Sequence, residues 1–153
     1  GILEDWKLEE KVTVSYNREA NDIIVNGKLK ESFGKGYASV INSAFVIGIM
    51  QYLIKVGLPH PKVIVLDSPL TAYKEKDTNK DKNDLINEEV KQAFYRNLSQ
   101  FKQGVQFIVL ENEVPSEEIQ KEIKHYHFTK NPDYGRYGLI PHWSGEFTRK
   151  GKF

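Results

Sequence analysis

Two acidic residues in this sequence directly follow aliphatic runs that are typical of strands. Asp67 follows the predicted strand 62–66, in which residues 63–66 are all aliphatic, and Glu111 follows the predicted strand 105–110, which is apolar except for Gln106. Apolar runs of this kind indicate strands that are covered on both faces, as in a parallel sheet. The chemistry of open α/β sheets lies beyond the carboxyl ends of the strands. We therefore expect Asp67 to hold Mg²⁺, directly or through water, beside a nucleotide phosphate; a buried strand with a turn-forming acid is the simpler alternative.

The two acids should lie close together. One crossover helix separates their strands, so the right-handed crossover rule predicts that the strands are parallel neighbours. Asp67 and Glu111 would then share one edge of the sheet. Paired carboxylates at such an edge can bind a metal ion or activate water. Two unrelated turn acids are the alternative.

A glycine-containing loop precedes the longest predicted helix. It consists of Ser32, Phe33, Gly34, Lys35 and Gly36. Backbone N–H groups at a helix N-terminus, glycines that allow close approach and the charge of Lys35 favour an anion site. The loop is not a P-loop, because no Gly-x-x-x-x-Gly-Lys-Ser/Thr sequence occurs in the 153 residues. A simple turn is the alternative.

Composition limits the function classes. The 153 residues are 39% hydrophobic and 28% charged, which is typical of one globular domain. The net charge of +1 provides no global electrostatic argument for nucleic acid. The lack of cysteine excludes disulfides, thiolate zinc sites and cysteine nucleophiles. No signal peptide or clean membrane span is evident, so a cytoplasmic protein without a membrane partner is expected.

The order of predicted elements favours an α/β fold. An antiparallel β-hairpin, with strands at 12–16 and 23–25, is followed by a helix from about 37 to 56 that is apolar almost all round. The sequence further predicts a charged loop at 74–84, helices at 85–101 and 116–124, and a last strand at 125–128. The prediction is a layered sheet with buried parallel strands flanked by helices.

These parts in this order resemble the C-terminal lobe of an ABC-type ATPase head of the SMC, RecN and RecF kind. The resemblance rests on the Ser-Phe-Gly-Lys-Gly loop that opens a buried helix, the strand ending Asp-Ser-Pro at 67–69, and the acid-ended strand that follows. The tail segments 127–129 and 135–141 also look like the ending of such proteins. The match covers roughly residues 12–141.

The resemblance implies a role for each part. Residues 32–36 would be the signature loop, which contacts the γ-phosphate of ATP bound to the partner head. Asp67 would be the Walker B aspartate, which supports Mg²⁺ through water. Leu70 to about Lys74 would form the D-loop, and Glu111 or Asn112 would occupy the position of the switch histidine.

The sequence departs from the family pattern in three places. Ser68 stands where most members have the catalytic glutamate, the switch position lacks histidine, and Lys35 replaces a glycine of the usual signature. Hydrolysis is therefore expected to be slow, or to use another acid such as Glu111.

The resemblance also implies partners and boundaries. Residues 1–11 would end a coiled coil or linker, 12–141 would form the lobe, and 142–153 a tail. An N-terminal Walker A lobe of the same protein would supply the P-loop. The completed head would dimerise on ATP and act on DNA, in maintenance or anti-phage defence, and a nuclease would be a further candidate partner. This chain alone would be inactive.

Two further functions stay open. The first is a Mg²⁺-dependent nuclease that uses Asp67, Glu111 and Glu113, since strand-borne acids suit metal-assisted phosphodiester cleavage. Glu113 occupies the place where many such nucleases have a lysine. The second is a non-catalytic interaction domain, which the serine at position 68 would suit.

Overall fold

A computed structural model describes residues 1–70, 88–101, 104–112 and 114–140. The chain divides into two compact units, Gly1–Ile123 and Lys124–Phe153. Neither domain boundary predicted from the sequence coincides with this division. Residues 1–11 belong to the first unit, and residue 141 lies outside the described residues.

The N-terminal segment packs into the first unit. Helix α1 spans only Ile2–Asp5, so the helix does not continue through the segment 1–11 that was predicted to end a coiled coil or linker. Trp6 ends the helix and is fully buried. The ring centroids of Trp6 and Phe94 lie 4.8 Å apart in an edge-to-face contact. The Trp6 Nε1 donates a hydrogen bond to Asn97 Oδ1 at 3.0 Å. Burial of this large ring, with its polar atom satisfied, holds the segment against the domain.

The predicted hairpin is confirmed, and it carries a third strand. Strands β1 (Val14–Asn17), β2 (Asp22–Val25) and β3 (Lys28–Leu29) form an antiparallel sheet in that order. Asn26 and Gly27 connect β2 to β3 with φ of 49° and 78°. Two successive positive φ values define the tight turn that Asn-Gly favours. Strand β3 was not predicted, because two residues are too few to show an alternating pattern.

Helix α2 spans Lys35–Val56 and ends at Gly57, whose φ of 71° forms a left-handed C-cap. One side of the helix enters the core through Val40, Ile41, Ala44, Ile47 and Met50. Its other side exposes Phe45, Val46, Ile49, Tyr52 and Val56 to solvent. By length and composition α2 could also cross a membrane, a test that core helices of soluble proteins pass as well.

Strands β4 (Val63–Asp67) and β5 (Gln106–Leu110) pair in parallel, as predicted. Asp67 lies opposite Leu110 in the register, so both strands end at the same edge. Helices α3 (Glu88–Ser99) and α4 (Glu117–Glu122) complete the first unit. The core joins β4 to the helices through Ile64, Leu66, Val90, Phe94, Leu98 and Ile119. The fold of the described residues is thus mixed α/β.

The prediction that both faces of the parallel strands are covered is wrong for this chain. Burial alternates along both strands, with Ile64 and Leu66 inside. The opposite face exposes Val63, Val65, Ile108 and Leu110. An alternating pattern of burial over a largely apolar sequence means that one face meets the core while the other meets solvent.

The described part of the second unit, residues 124–140, contains one isolated bridge, between Phe128 and Arg136. The strand predicted at 125–128 is therefore not formed as a regular element. Two backbone hydrogen bonds support the bridge, from Thr129 N–H to the Arg136 carbonyl at 2.9 Å and from Lys130 N–H to the Tyr137 carbonyl at 3.0 Å. A short closed loop results.

Candidate functional site

The backbone turns sharply where β4 ends. Ser68 N–H donates to the Leu110 carbonyl at 2.8 Å, which extends the parallel ladder one residue beyond the strand. Ser68 then adopts a φ of 49°, a left-handed conformation that costs a non-glycine residue about 1 kcal/mol. Pro69 and Leu70 follow and are both buried. The chain therefore leaves Asp67 at the open edge and returns at once to the core.

Glu111 ties the two strand ends together. One of its carboxylate oxygens, Oε1, accepts the Leu70 N–H at 2.6 Å, and the other, Oε2, accepts the N–H of Asn112 at 3.0 Å. Hydrogen bonds to an ionised carboxylate are stronger than neutral ones. The loop after β4 and the loop after β5 are thus cross-linked by one side chain. Asn112 itself is exposed.

At this edge Asp67 faces solvent and Ser68 is half-buried. Asp67 is exposed, and its Oδ1 accepts a hydrogen bond from Ser68 Oγ at 3.0 Å. Carboxylate and hydroxyl oxygens are suitable ligands for Mg²⁺, which usually keeps several waters and takes one or two carboxylates. The donor set therefore fits Mg²⁺ held by Asp67 through water. Within residues 1–70, 88–101, 104–112 and 114–140, no three His, Asp or Glu side chains cluster as a complete metal cage.

The predicted anion loop forms the start of α2. Gly34 is the N-cap residue and offers no side-chain hydrogen bond, and Ala38 N–H to the Gly34 carbonyl is the first helical bond, at 3.0 Å. The backbone N–H groups of Lys35 and Gly36 precede that bond, so the helix does not use them. Lys35 is exposed, and the first turn contains no acid. A cation at this end opposes the helix dipole, whereas a bound anion would complement it.

Contacts on both sides hold the loop. Ser32 Oγ donates to the Leu29 carbonyl at 2.7 Å, and Phe33 packs against the core. Lys30 Nζ lies 3.0 Å from Oδ1 of Asp22 on β2. The Lys30 ammonium, with the Ile23 N–H, holds the pKa of Asp22 below its usual range. The loop is therefore anchored to the antiparallel sheet.

Ser39 connects the loop to the acidic edge, and the sequence patterns did not single it out. Its Oγ lies 3.5 Å from the Ser68 carbonyl oxygen. Ser39 is one helical turn beyond Lys35, and a turn rises about 5.4 Å. The beginning of α2 and the loop after β4 are therefore neighbours. The sequence shows that Ser39 places a hydroxyl on the first turns of the predicted helix. It does not show that this hydroxyl meets Ser68, which is 29 positions away.

Some predicted site residues lie outside the described part of the chain. These are Glu113 and the D-loop after Leu70. The histidine pair in the second unit is described: His125 and His127 stack with ring centroids 6.5 Å apart. No third ligand joins them among the described residues.

Two apolar surfaces of the first unit are open. The first is the exposed face of β4 and β5. The second is a groove of about 460 Å³ between α1, the antiparallel sheet and the exposed side of α2. Its lining includes Ile2, Val14, Val25, Phe45, Ile49 and Tyr52. Contiguous exposed apolar surface of this kind is typical of an interaction site.

No protein-family model matches this chain, and none of the curated proteins is significantly similar to it.

Proposed function

We propose that this chain is the C-terminal half of an SMC-like, ABC-type ATPase head, which binds and hydrolyses ATP at the interface of two heads. One observation carries the proposal. The parallel strands β4 and β5 hold Asp67 and Glu111 at a single edge, next to the start of α2, while the other face of the same strands is open. Under this proposal, the edge supplies one half of a nucleotide site, and the open face is where the rest of the head packs.

Each part has a chemical role under this proposal. Asp67 supports Mg²⁺ through water, and Mg²⁺ neutralises charge on the phosphates during transfer. The exposed Lys35, with the backbone N–H groups that the first turn of α2 does not use, contacts the γ-phosphate of ATP held by the partner head. Ser68 occupies the place of the acid that polarises the attacking water. A hydroxyl is a poor base, so we expect slow hydrolysis.

Glu111 is a limited substitute for the missing catalytic acid. Its two oxygens already accept backbone N–H groups from Leu70 and Asn112. The carboxylate is therefore positioned to hold loops, and its use as a base would require those bonds to lengthen. This favours a clamp that binds ATP firmly and turns it over slowly.

The missing half would cover the open surfaces. A P-loop sequence is not present in the 153 residues, so another lobe must supply the phosphate cradle. Isolated two-stranded parallel sheets with one bare apolar face are unusual, because parallel sheets are normally covered on both sides. We propose that a Walker A lobe of the same protein packs against this face. The completed head would form a homodimer.

The biological setting follows only by analogy with the family. Heads of this kind serve DNA maintenance or defence against foreign DNA, and a nuclease can act with them; a cytoplasmic location is proposed on the same grounds. The nuclease alternative is less favoured, because Glu111 is engaged with backbone groups. The open apolar surfaces suit a pure interaction domain as well as the ATPase lobe, so an activity measurement must separate the two.

The test is ATP turnover by the complete polypeptide, with Asp67→Asn as the critical variant. The substitution keeps the size of the side chain and removes the charge that supports Mg²⁺. We expect Mg²⁺-dependent turnover to fall at least tenfold. Asp5→Asn, an exposed acid in α1, serves as the matched control and should leave turnover unchanged.

Three outcomes discriminate the proposals. Turnover lost in Asp67→Asn alone supports the ATPase head. Folded complete protein that neither binds nor hydrolyses ATP contradicts it. DNA cleavage with Mg²⁺ and without ATP, abolished by the same variant, would instead establish the nuclease.

A further inference from the structure

Charge is distributed unequally between the two units. Residues 1–123 contain sixteen Lys and Arg and nineteen Asp and Glu, a net charge of −3, whereas residues 124–153 contain six and two, a net charge of +4. The overall value of +1 conceals this difference. Seven of the eighteen aromatic residues and three of the four histidines also lie in the last thirty positions. A basic, aromatic segment attached to an acidic domain is typical of polyanion binding.

The described part of this unit arranges cations on aromatic rings. The Arg136 guanidinium lies 5.4 Å from the Tyr126 ring centroid and 5.2 Å from that of Phe128. Lys124 Nζ lies 5.7 Å from the Tyr126 centroid. Contacts of this geometry are cation–π interactions, which use the face of a guanidinium and leave its edge N–H groups directed outward.

A hydrogen-bonded turn fixes this arrangement. Thr129 Oγ1 donates to the Tyr134 carbonyl at 2.7 Å, and Asn131 Oδ1 accepts the Asp133 N–H at 2.9 Å. The backbone bonds of Thr129 and Lys130 to positions 136 and 137 close the loop. The positions of Arg136 and the rings are therefore set before any ligand binds, which lowers the entropy cost of binding.

Two further groups on this loop face solvent. The Tyr134 side chain is 75% exposed and Lys130 is exposed. An exposed ring with no ring contact among the described residues offers a free face on which a nucleobase can stack. Exposed cations on either side of such a ring can contact phosphates.

We propose that residues 124–140 form a binding site for single-stranded nucleic acid. Lys124, Lys130 and Arg136 contact successive phosphates, and Tyr134 stacks on a base. A single strand is favoured over a duplex because stacking on an exposed ring needs an unpaired base. The site consists only of residues of the second unit, so the proposal does not depend on the ATPase function.

The experiment measures binding of the full chain to a fluorescent oligothymidine of about 20 nucleotides by fluorescence anisotropy, as a function of salt. Neutralising about three phosphates predicts a slope of log K against log salt near −2, since each contact on a single strand contributes about −0.7. Duplex DNA of the same length should bind several-fold more weakly.

Two substitutions separate charge from stacking without touching the cation–π cluster. Lys130→Gln should weaken binding a few-fold and reduce the salt slope by about 0.7. Tyr134→Ala should weaken binding about tenfold and leave the slope unchanged, because stacking releases no counterions. Lys11→Gln, an exposed cation of the acidic unit, is the matched control and should have no effect.

Several results would overturn the proposal. These are no binding at low salt, equal effects of Lys130→Gln and Lys11→Gln, or no effect of Tyr134→Ala. Equal competition by heparin, a polyanion without bases, would also overturn it, because charge alone would then account for binding. Arg136→Lys, which keeps the charge but loses the planar fork, gives a further check and should weaken binding while the near-ultraviolet circular dichroism remains native.

Discussion

At the scale of single residues, Glu111 has the largest structural role at the acidic edge. Its carboxylate accepts the N–H of Leu70, a residue that is only 2% exposed. Without that acceptor the N–H would be buried with no partner, which costs more than an ordinary hydrogen bond contributes. Ser68, by contrast, adopts a strained φ at the position where hydrolysis chemistry is expected. Strain of this kind is common at functional sites.

The prediction for Glu111 follows directly. Glu111→Ala should lower the free energy of unfolding by about 1–3 kcal/mol, measured by urea denaturation of the chain. Glu111→Gln retains a carbonyl acceptor and should cost less. Asn112→Ala, at an exposed neighbouring position, should change stability by less than about 0.5 kcal/mol. Equal stability of Glu111→Ala and the parent chain would show that the carboxylate does not hold the loop.

At the scale of elements, α2 is notable at both ends. Its C-terminus is satisfied by Gly57, with Lys55 placed favourably in the last turn. Its N-terminus has no side-chain cap and begins with Lys35, a charge opposed to the helix dipole. Structural needs alone would place an acid or a capping residue there. A lysine at this position is instead what binding of a phosphate at this end of α2 would favour.

The matching prediction concerns Lys35→Glu. An acid in the first turn should raise the free energy of unfolding by about 0.5–1 kcal/mol at low ionic strength. In the complete protein the same substitution should lower ATP turnover, because the acid repels the γ-phosphate. Lys55→Glu, the same change at the other end of α2, should destabilise the chain and leave the phosphate contact intact. Unchanged turnover in Lys35→Glu would argue against an anion site at this loop.

At the scale of the whole molecule, the first unit presents apolar surface on two sides. The outer face of β4 and β5 and the groove beside α2 are built from residues that a self-contained domain would bury. Burying such surface drives association. This feature is the physical basis for proposing a second lobe.

The corresponding prediction is that the chain on its own associates with itself as concentration rises. Val65→Thr combined with Ile108→Thr should shift the sedimentation velocity profile toward monomer, because both side chains lie on the open face and threonine keeps the β-branched shape. Leu58→Thr, at an exposed apolar position beyond α2, is the control. Monomeric behaviour of the parent chain at high concentration would contradict the prediction.

The sequence by itself determined the local elements and the positions of the acids. The Asn26–Gly27 turn, the stop of α2 at Gly57 and the strands that end at Asp67 and Leu110 all depend on residues within a few positions. Turn geometry and apolar periodicity are local properties, so they can be predicted from sequence. The parallel pairing also followed, because the crossover rule leaves little choice.

Only the tertiary structure decided which of these residues meet. The bond from Leu70 to Glu111 spans 41 positions, that from Trp6 to Asn97 spans 91, and the contact of Ser39 with Ser68 spans 29. The sequence also did not reveal the open face of β4 and β5. A largely apolar strand sequence looks the same whether one face or both faces are covered. Long-range contacts depend on how elements pack, and packing is a property of the whole chain rather than of any segment.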